Sequence, residues 1–140
     1  MRVAPVSPEI QSQLIANAVR TTEPAGAVLF RRDEPAFGVF VVLRGSVSLR
    51  LEGSSGKVLV NRIATSDSII GLPGSLAGGR YSLTAVALEE SELAFLNLQS
   101  LYELIRGNSN VGLELMHALG DEVLQMRAIL VSGPDTPQPR

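Results

Sequence analysis

One hundred and forty residues, 45% hydrophobic and 19% charged, fit one domain of ordinary size with a sizeable core and exclude disorder as the dominant state. The absence of cysteine removes disulfides, iron–sulfur ligation, cysteine zinc sites and thiol nucleophiles, and the single histidine, His117, cannot supply the imidazole cluster of most catalytic metal sites; neither metal nor cofactor is expected. Twelve basic against fourteen acidic side chains give a net charge of -2, the wrong sign for a chain-wide phosphate-binding surface and an argument against DNA as a partner.

Pro5 and Pro8 interrupt the segment behind Arg2 and no long apolar run follows. Neither a secretory signal nor a membrane span is legible, and the cytoplasm is the expected compartment. Ser7-Pro8-Glu9 reads as a helix start: a hydroxyl cap, proline at the first helical position, and a carboxylate near the positive helix end. Ile10, Leu14, Ile15, Ala18 and Val19 recur at helical spacing, which predicts an amphipathic helix ending around Arg20.

From Gly26 to Leu96 the texture becomes β. Apolar and β-branched runs at 28–32, 39–43, 46–51, 58–63, 82–88 and 92–96 alternate with turns rich in glycine, proline or serine. In the clearest strand, Val47, Leu49 and Leu51 share one face and Ser46, Ser48 and Arg50 the other, which should be the solvent face. The polar loop from Glu52 to Lys57 makes a hairpin with the run that follows. Seven or so short strands must bury one face against a second sheet, hence a β-roll or jelly roll.

Helical spacing then returns. Asn97 caps a short helix carrying Leu98, Leu101, Tyr102 and Ile105 that stops near Gly107, and residues 108–110 offer a fresh cap. A longer helix is expected over about 111–131, where Met116, Leu119, Val123, Met126 and Leu130 advance in the alternating steps of three and four of a coiled-coil seam. Leu113, Leu115, Leu124 and Ile129 lie off that seam and are expected to face the β-roll; the seam itself predicts a homodimer. The domain should therefore span 1–131, followed by a flexible proline-rich tail over 132–140.

A leading helix, a β middle with a glycine-punctuated hairpin, a short helix and a long helix together resemble the cyclic-nucleotide-binding domain, and more narrowly the sensor half of catabolite-activator and Fnr-type (Crp/Fnr) bacterial regulators. The resemblance is carried by Gly26-Ala27-Val28-Leu29-Phe30, Val39-Phe40-Val41-Val42-Leu43-Arg44-Gly45-Ser46-Val47, Ile70-Gly71-Leu72-Pro73 and Tyr81-Ser82-Leu83-Thr84-Ala85-Val86-Ala87. It implies a mainly β fold with flanking helices and a phosphate-binding cassette between strands. In nucleotide-binding members that cassette carries a glycine followed by a glutamate that accepts from the ribose, then an arginine opening the next strand as countercharge to the phosphate. Here Gly71 matches, but Leu72 stands at the glutamate position and accepts no hydrogen bond, and Pro73 has no N–H. Tyr81 stands where the arginine is expected, with Arg80 one residue early, a displacement that turns a strand side chain to the other face.

The candidate ligand site is thus Gly71, Leu72, Gly74, Ser75, Arg80, Tyr81 and Ser82, an apolar or self-filled pocket in which the glycine-rich loop 74–79 is more simply a turn than an anion nest. The other constellations have plainer readings. His117 suits a helix surface better than a general base, Glu89, Glu90 and Glu92 a solvated hairpin tip better than an acid/base pair, and Arg31, Arg32, Asp33 and Glu34 a mixed-sign surface.

The favoured function is a regulatory sensor or interaction module, not an enzyme, with a degenerate cassette that has abandoned cyclic nucleotides for an unidentified small molecule or none. The alternatives are a genuine cyclic-nucleotide binder using the displaced Arg80, a cupin-like enzyme that lacks the usual histidines, and a partner that dimerises with a longer DNA-binding relative. Regulators of the family continue from the long helix into a helix-turn-helix, for which residues 132–140 have no material; the expectation is either a sensor naturally without that output domain or a chain cut at its boundary, and the proline content favours the first.

Overall fold

The computed structural model describes residues 1–132. Its elements, in chain order, are α1 (Pro8–Ala16), β1 (Val19–Glu23), β2 (Val28–Phe30), β3 (Gly38–Arg44), β4 (Val47–Glu52), β5 (Val58–Ala64), β6 (Ile69–Ile70), α2 (Leu72–Ala77), β7 (Thr84–Ala87), β8 (Ser91–Asn97), α3 (Leu98–Gly107) and α4 (Ser109–Ser132). The strands form two four-stranded antiparallel sheets, ordered β1-β8-β3-β6 and β2-β7-β4-β5, which face each other as the expected jelly-roll-like β-roll with helices at its flanks.

The inner faces follow from strand periodicity. β5 turns Val60, Arg62 and Ala64 inward and leaves Leu59, Asn61 and Ile63 exposed. β3, paired on both sides, is buried continuously from Gly38 to Val42, as a central strand is. Ser48 departs from the expected solvent face of β4. It is buried because its small side chain is flanked across the ladder by Ile63 and Val86.

Ser7 caps α1 as expected, its Oγ accepting from Ile10 N at 3.3 Å, but the helix ends at Ala16, not near Arg20. Val19, Arg20, Thr21 and Thr22 leave it as β1 and pair with β8, from Val19 opposite Phe95 to Glu23 opposite Ser91. β-branched residues suit a strand, and the open edge of β8 gives their backbone groups a ladder; Ala18 and Val19 fit helical spacing only by coincidence. Glycine 74 and its neighbours form α2, not the expected loop. Gly71 at φ 86 and Gly78 at φ 65 bracket it in left-handed geometry, and Pro73 sits in its first turn. β6, only two residues long, was too short for periodicity to reveal.

Asn97 caps α3 by accepting from Ser100 N at 2.8 Å, and Asn108 receives Asn110 N at 3.0 Å, both as the sequence predicts. α4 begins two residues before the expected start. Its inward line is Val111, Leu115, Ala118 and Glu122. Leu113 and Leu124 are half or more exposed and do not face the β-roll, contrary to expectation, because steps of about 100° per residue put them on the far side of α4 from that line. Of the four off-seam residues, Leu115 is buried and Ile129 packs at the core margin. Of the tail expected over 132–140, Ser132 is the last residue of α4, and residues 133–140 lie outside the described residues.

Candidate functional site

The cassette residues converge where α2 meets the start of β7. Gly71 lies so close to the Tyr81 ring that a Cβ there would stand 3.0 Å from Tyr81 Cε1 and 3.2 Å from Gly38 O. Leu72 is fully buried in the core, and Ser75 is buried with its Oγ donating to Gly38 O at 3.0 Å. Gly74 is required by close approach, since a Cβ would sit 2.5 Å from Arg80 O.

Tyr81 organises this end of the β-roll. Its ring stacks on Phe30 with centroids 3.8 Å apart and meets Phe37 edge-on at 5.3 Å. Its hydroxyl donates to Gly38 O at 2.7 Å and accepts from Phe37 N and Gly38 N at 3.1 and 3.2 Å. Burial pushes the Tyr81 hydroxyl above its ordinary pKa against the opposing effect of the backbone hydrogen bonds, so it stays protonated and neutral. A neutral phenol with both its donor and its acceptor capacity in use brings no charge to a phosphate.

Arg80 points elsewhere. Its Nη1 donates to Asp33 O at 2.7 Å on the exposed side of the 31–34 turn, and its backbone bridges Pro35. Arg80 and Tyr81 precede β7, which starts at Thr84 and not at the expected residue 82; Arg80 is held in an isolated bridge to Pro35, and its guanidinium lies on the exposed side while Tyr81 is buried. Ser82 is exposed and lies at the mouth of a groove with Pro73 and Leu83 on one wall and Val123, Met126 and Leu130 of α4 on the other, about 530 Å³ in volume. A second apolar groove of about 560 Å³ runs between Leu76, Ile105 and the first half of α4, at Leu113, Met116 and Leu119. The seam residues Met116, Leu119, Val123, Met126 and Leu130 thus lie along the walls of these grooves, with Val123 58% exposed.

Sequence reasoning missed the most unusual pair in the molecule. Arg62 on β5 donates from Nη1 to Glu122 Oε1 of α4 at 3.1 Å and from Nη2 to Gln125 Oε1 at 2.9 Å, with side chains 1% and 6% exposed for Arg62 and Glu122. Arg62 Nε and Glu122 Oε2 are buried without a partner. Burial raises the Glu122 pKa against the lowering effect of Arg62. Strand alternation did carry one signal, since Arg62 stands between Val60 and Ala64 on the inward face. Its partner, sixty residues on, left no local trace.

The other candidates are surface features. His117 is exposed on α4. Glu89 and Glu90 lie at the turn before β8, Glu89 accepting from Ser46 Oγ at 2.7 Å and Glu90 pairing loosely with Arg44 at 3.9 Å, while Glu92 continues into β8. In the 31–34 turn, Glu34 accepts from Arg31 N at 2.7 Å and Asp33 lies 3.9 Å from Arg32. Among the described residues no group of three or more histidine, aspartate or glutamate side chains could hold a metal ion, and no helix is long and apolar enough to cross a membrane.

The sequence profile of the cyclic nucleotide-binding domain matches residues 21–108, and the chain belongs to that family. Its relatives are regulators of Crp/Fnr type. It is 33% identical over 89 residues to the transcriptional regulatory protein btr of Bordetella pertussis, an alignment covering 64% of this chain and 36% of that protein. Among solved structures it is similar to the catabolite activator protein of Thermus thermophilus, with a TM-score of 0.78 at 23% identity, over 89% of this chain and 58% of the other. The c-di-GMP-responsive global regulator CLP of Xanthomonas campestris matches with a TM-score of 0.76 at 20% identity, over 89% of this chain and 61% of that one. The chain therefore spans about a third to three fifths of the length of these relatives.

Proposed function

We propose that this domain is a regulatory sensor or interaction module of Crp/Fnr type that does not bind cyclic nucleotides in the family's usual way and that pairs with a second copy along α4. The observation that carries the reading is Tyr81, whose neutral hydroxyl, held on Gly38 O, occupies the place of the phosphate-binding arginine. Leu72, buried at the glutamate position, supplies no ribose acceptor. Losing a charged partner to a buried phosphate and a ribose acceptor costs on the order of 3 to 8 kcal/mol together, which weakens a micromolar ligand by at least about a hundredfold, to roughly 0.1 mM or beyond. Calorimetric titration with cyclic AMP and cyclic GMP is the test. No micromolar binding is expected, and a micromolar dissociation constant overturns the reading.

If cyclic nucleotide did bind through the displaced arginine, Arg80→Ala would abolish it; the bond from Arg80 to Asp33 O on the exposed side weighs against that alternative. Homodimer formation rests on the apolar crest of α4, which a self-complementary contact would bury. The reading places the domain in the cytoplasm, with no enzymatic activity and no duplex DNA binding by these residues.

A further inference from the structure

The outer face of the β2-β7-β4-β5 sheet gathers positive charge that the chain as a whole lacks. Thr84 of β7 lies opposite Arg50 of β4, and on its other side its Oγ1 accepts from Arg32 N at 3.0 Å, just beyond the end of β2. Arg31, Arg32 and Arg50 line, with Glu52, Thr84 and Val86, a groove of about 470 Å³. Three arginines against one glutamate make it net positive in a chain of net charge -2. The nearby acids do not cancel that charge. Arg32 lies 3.9 Å from Asp33 and Arg50 3.6 Å from Glu52, loose pairs open to water, and Arg31 forms no ion pair among the described residues. Like charges brought to one concavity repel unless an anion enters between them. We infer that this groove binds a small molecule carrying a diphosphate group.

The donor set selects the class. A guanidinium forks onto two oxygens of a phosphate, so three of them call for about six acceptor oxygens, which two linked phosphates present and a single phosphate lacks. The Thr84 hydroxyl accepts from Arg32 N but has no acceptor for its own proton among the described residues, which leaves it free to donate to the same anion. Glu52 repels phosphate at its end of the groove and suits a hydroxyl or amine on the rest of the molecule, which lies against the hydrocarbon of Val86. The groove is separate from the cassette. Leu49 and Ala85, the chain neighbours of Arg50 and Thr84, are buried on the inner side of the same sheet, so the groove lies outside the β-roll and Tyr81 inside it.

Calorimetric titration of the intact chain with inorganic pyrophosphate at low ionic strength should give saturable one-to-one binding that weakens with added salt, and orthophosphate should bind at least about tenfold more weakly. Arg31→Gln and Arg50→Gln, both at exposed positions, should each weaken pyrophosphate by about tenfold, the effect of one charge-assisted hydrogen bond. Arg20→Gln removes the same charge from β1 in the other sheet and should leave the affinity unchanged. The absence of saturable binding, orthophosphate bound as tightly as pyrophosphate, or an equal loss in Arg20→Gln overturns the proposal. Hexaglutamate or duplex DNA bound as tightly as pyrophosphate through Arg50 overturns it as well, in favour of a surface for a macromolecule. The inference does not rest on the cassette reading, and cyclic nucleotide bound inside the β-roll would leave these outcomes unchanged, so the two fail separately.

Discussion

Tyr81 and Arg62 are two large polar side chains placed inside a β-roll, and they reach that position by opposite means. Tyr81 completes its hydroxyl with three backbone partners and buries a ring against Phe30, so it stabilises the fold. Tyr81→Phe removes the acceptor for Phe37 N and Gly38 N and should lower stability by about 1 to 3 kcal/mol, read as a fall in the urea midpoint with unchanged slope. Arg62 and Glu122 are completed only in part, and a buried ion pair gains little over apolar residues of similar volume. Arg62→Leu alone strands the Glu122 charge and should cost about 3 to 5 kcal/mol, whereas the paired Arg62→Leu/Glu122→Leu change should lie near neutral or stabilise. The pH dependence has a definite sign. The folded-state pKa of Glu122 is raised above the ordinary 4.5, so the folded state holds this proton more tightly than the unfolded chain. The Glu122 contribution is then fully present below about 4.5 and is lost as pH rises through the folded-state value. Wild type should lose stability relative to the paired variant over that interval, measurable as diverging urea midpoints; parallel midpoints would contradict the assignment.

At the scale of elements, α2 is the most constrained segment. Six residues are too few for a helix to persist by propensity, and α2 persists because Gly71 and Gly78 take left-handed turns at its ends and Gly74 lets Arg80 O approach. Alanine at position 74 gains about 1 kcal/mol of helix propensity but sets a Cβ 2.5 Å from a backbone oxygen, which cannot move as a side-chain tip can. Overpacking of this kind costs about 1 to 3 kcal/mol, so Gly74→Ala should lower the melting temperature, and a rise would show that α2 shifts freely. α4 is held differently. Its first turns are tied to α1 by Glu114, which accepts from Ser7 N and Ser7 Oγ at 2.8 and 2.9 Å, and its middle is tied to β5 by Arg62. The same helix is therefore anchored at two separate points of the chain, Ser7 and Arg62.

For the whole molecule, the proposed dimer rests on the outward side of α4. Leu113 and Leu124 join Met116, Val123 and Leu130 in the exposed apolar surface, so the strip left to water is wider than the heptad steps alone imply. Sedimentation at tens of micromolar should show a dimer, a range in which even weak association is populated. Val123→Glu, at a position 58% exposed, should shift the chain to monomer and leave its thermal unfolding nearly unchanged, because the carboxylate stays solvated in the monomer and is desolvated only in the pair. A wild-type monomer at that concentration would sink the proposal.

Local chemistry was legible in the amino-acid order: the Ser7 and Asn97 caps, the hairpin of β4 and β5, the helical repeat of α4 and the cassette departures at Leu72 and Tyr81 all depend on residues a few positions apart. Periodicity misread residues 19–23, where β-branched residues at helical spacing met the vacant edge of β8, a partner some seventy positions away. It also made a loop of α2, because the glycines that usually mark turns serve there as helix ends and as room for Arg80 O. Strand alternation offered Arg62 an inward place between Val60 and Ala64, but the expected β-roll face of α4, drawn through Leu113, Leu115, Leu124 and Ile129, left Glu122 out. Only the packing of α4 on β5 decided that the two meet and that each keeps an unpartnered atom, since that depends on where the helix lands on the β-roll and not on any interval along the chain.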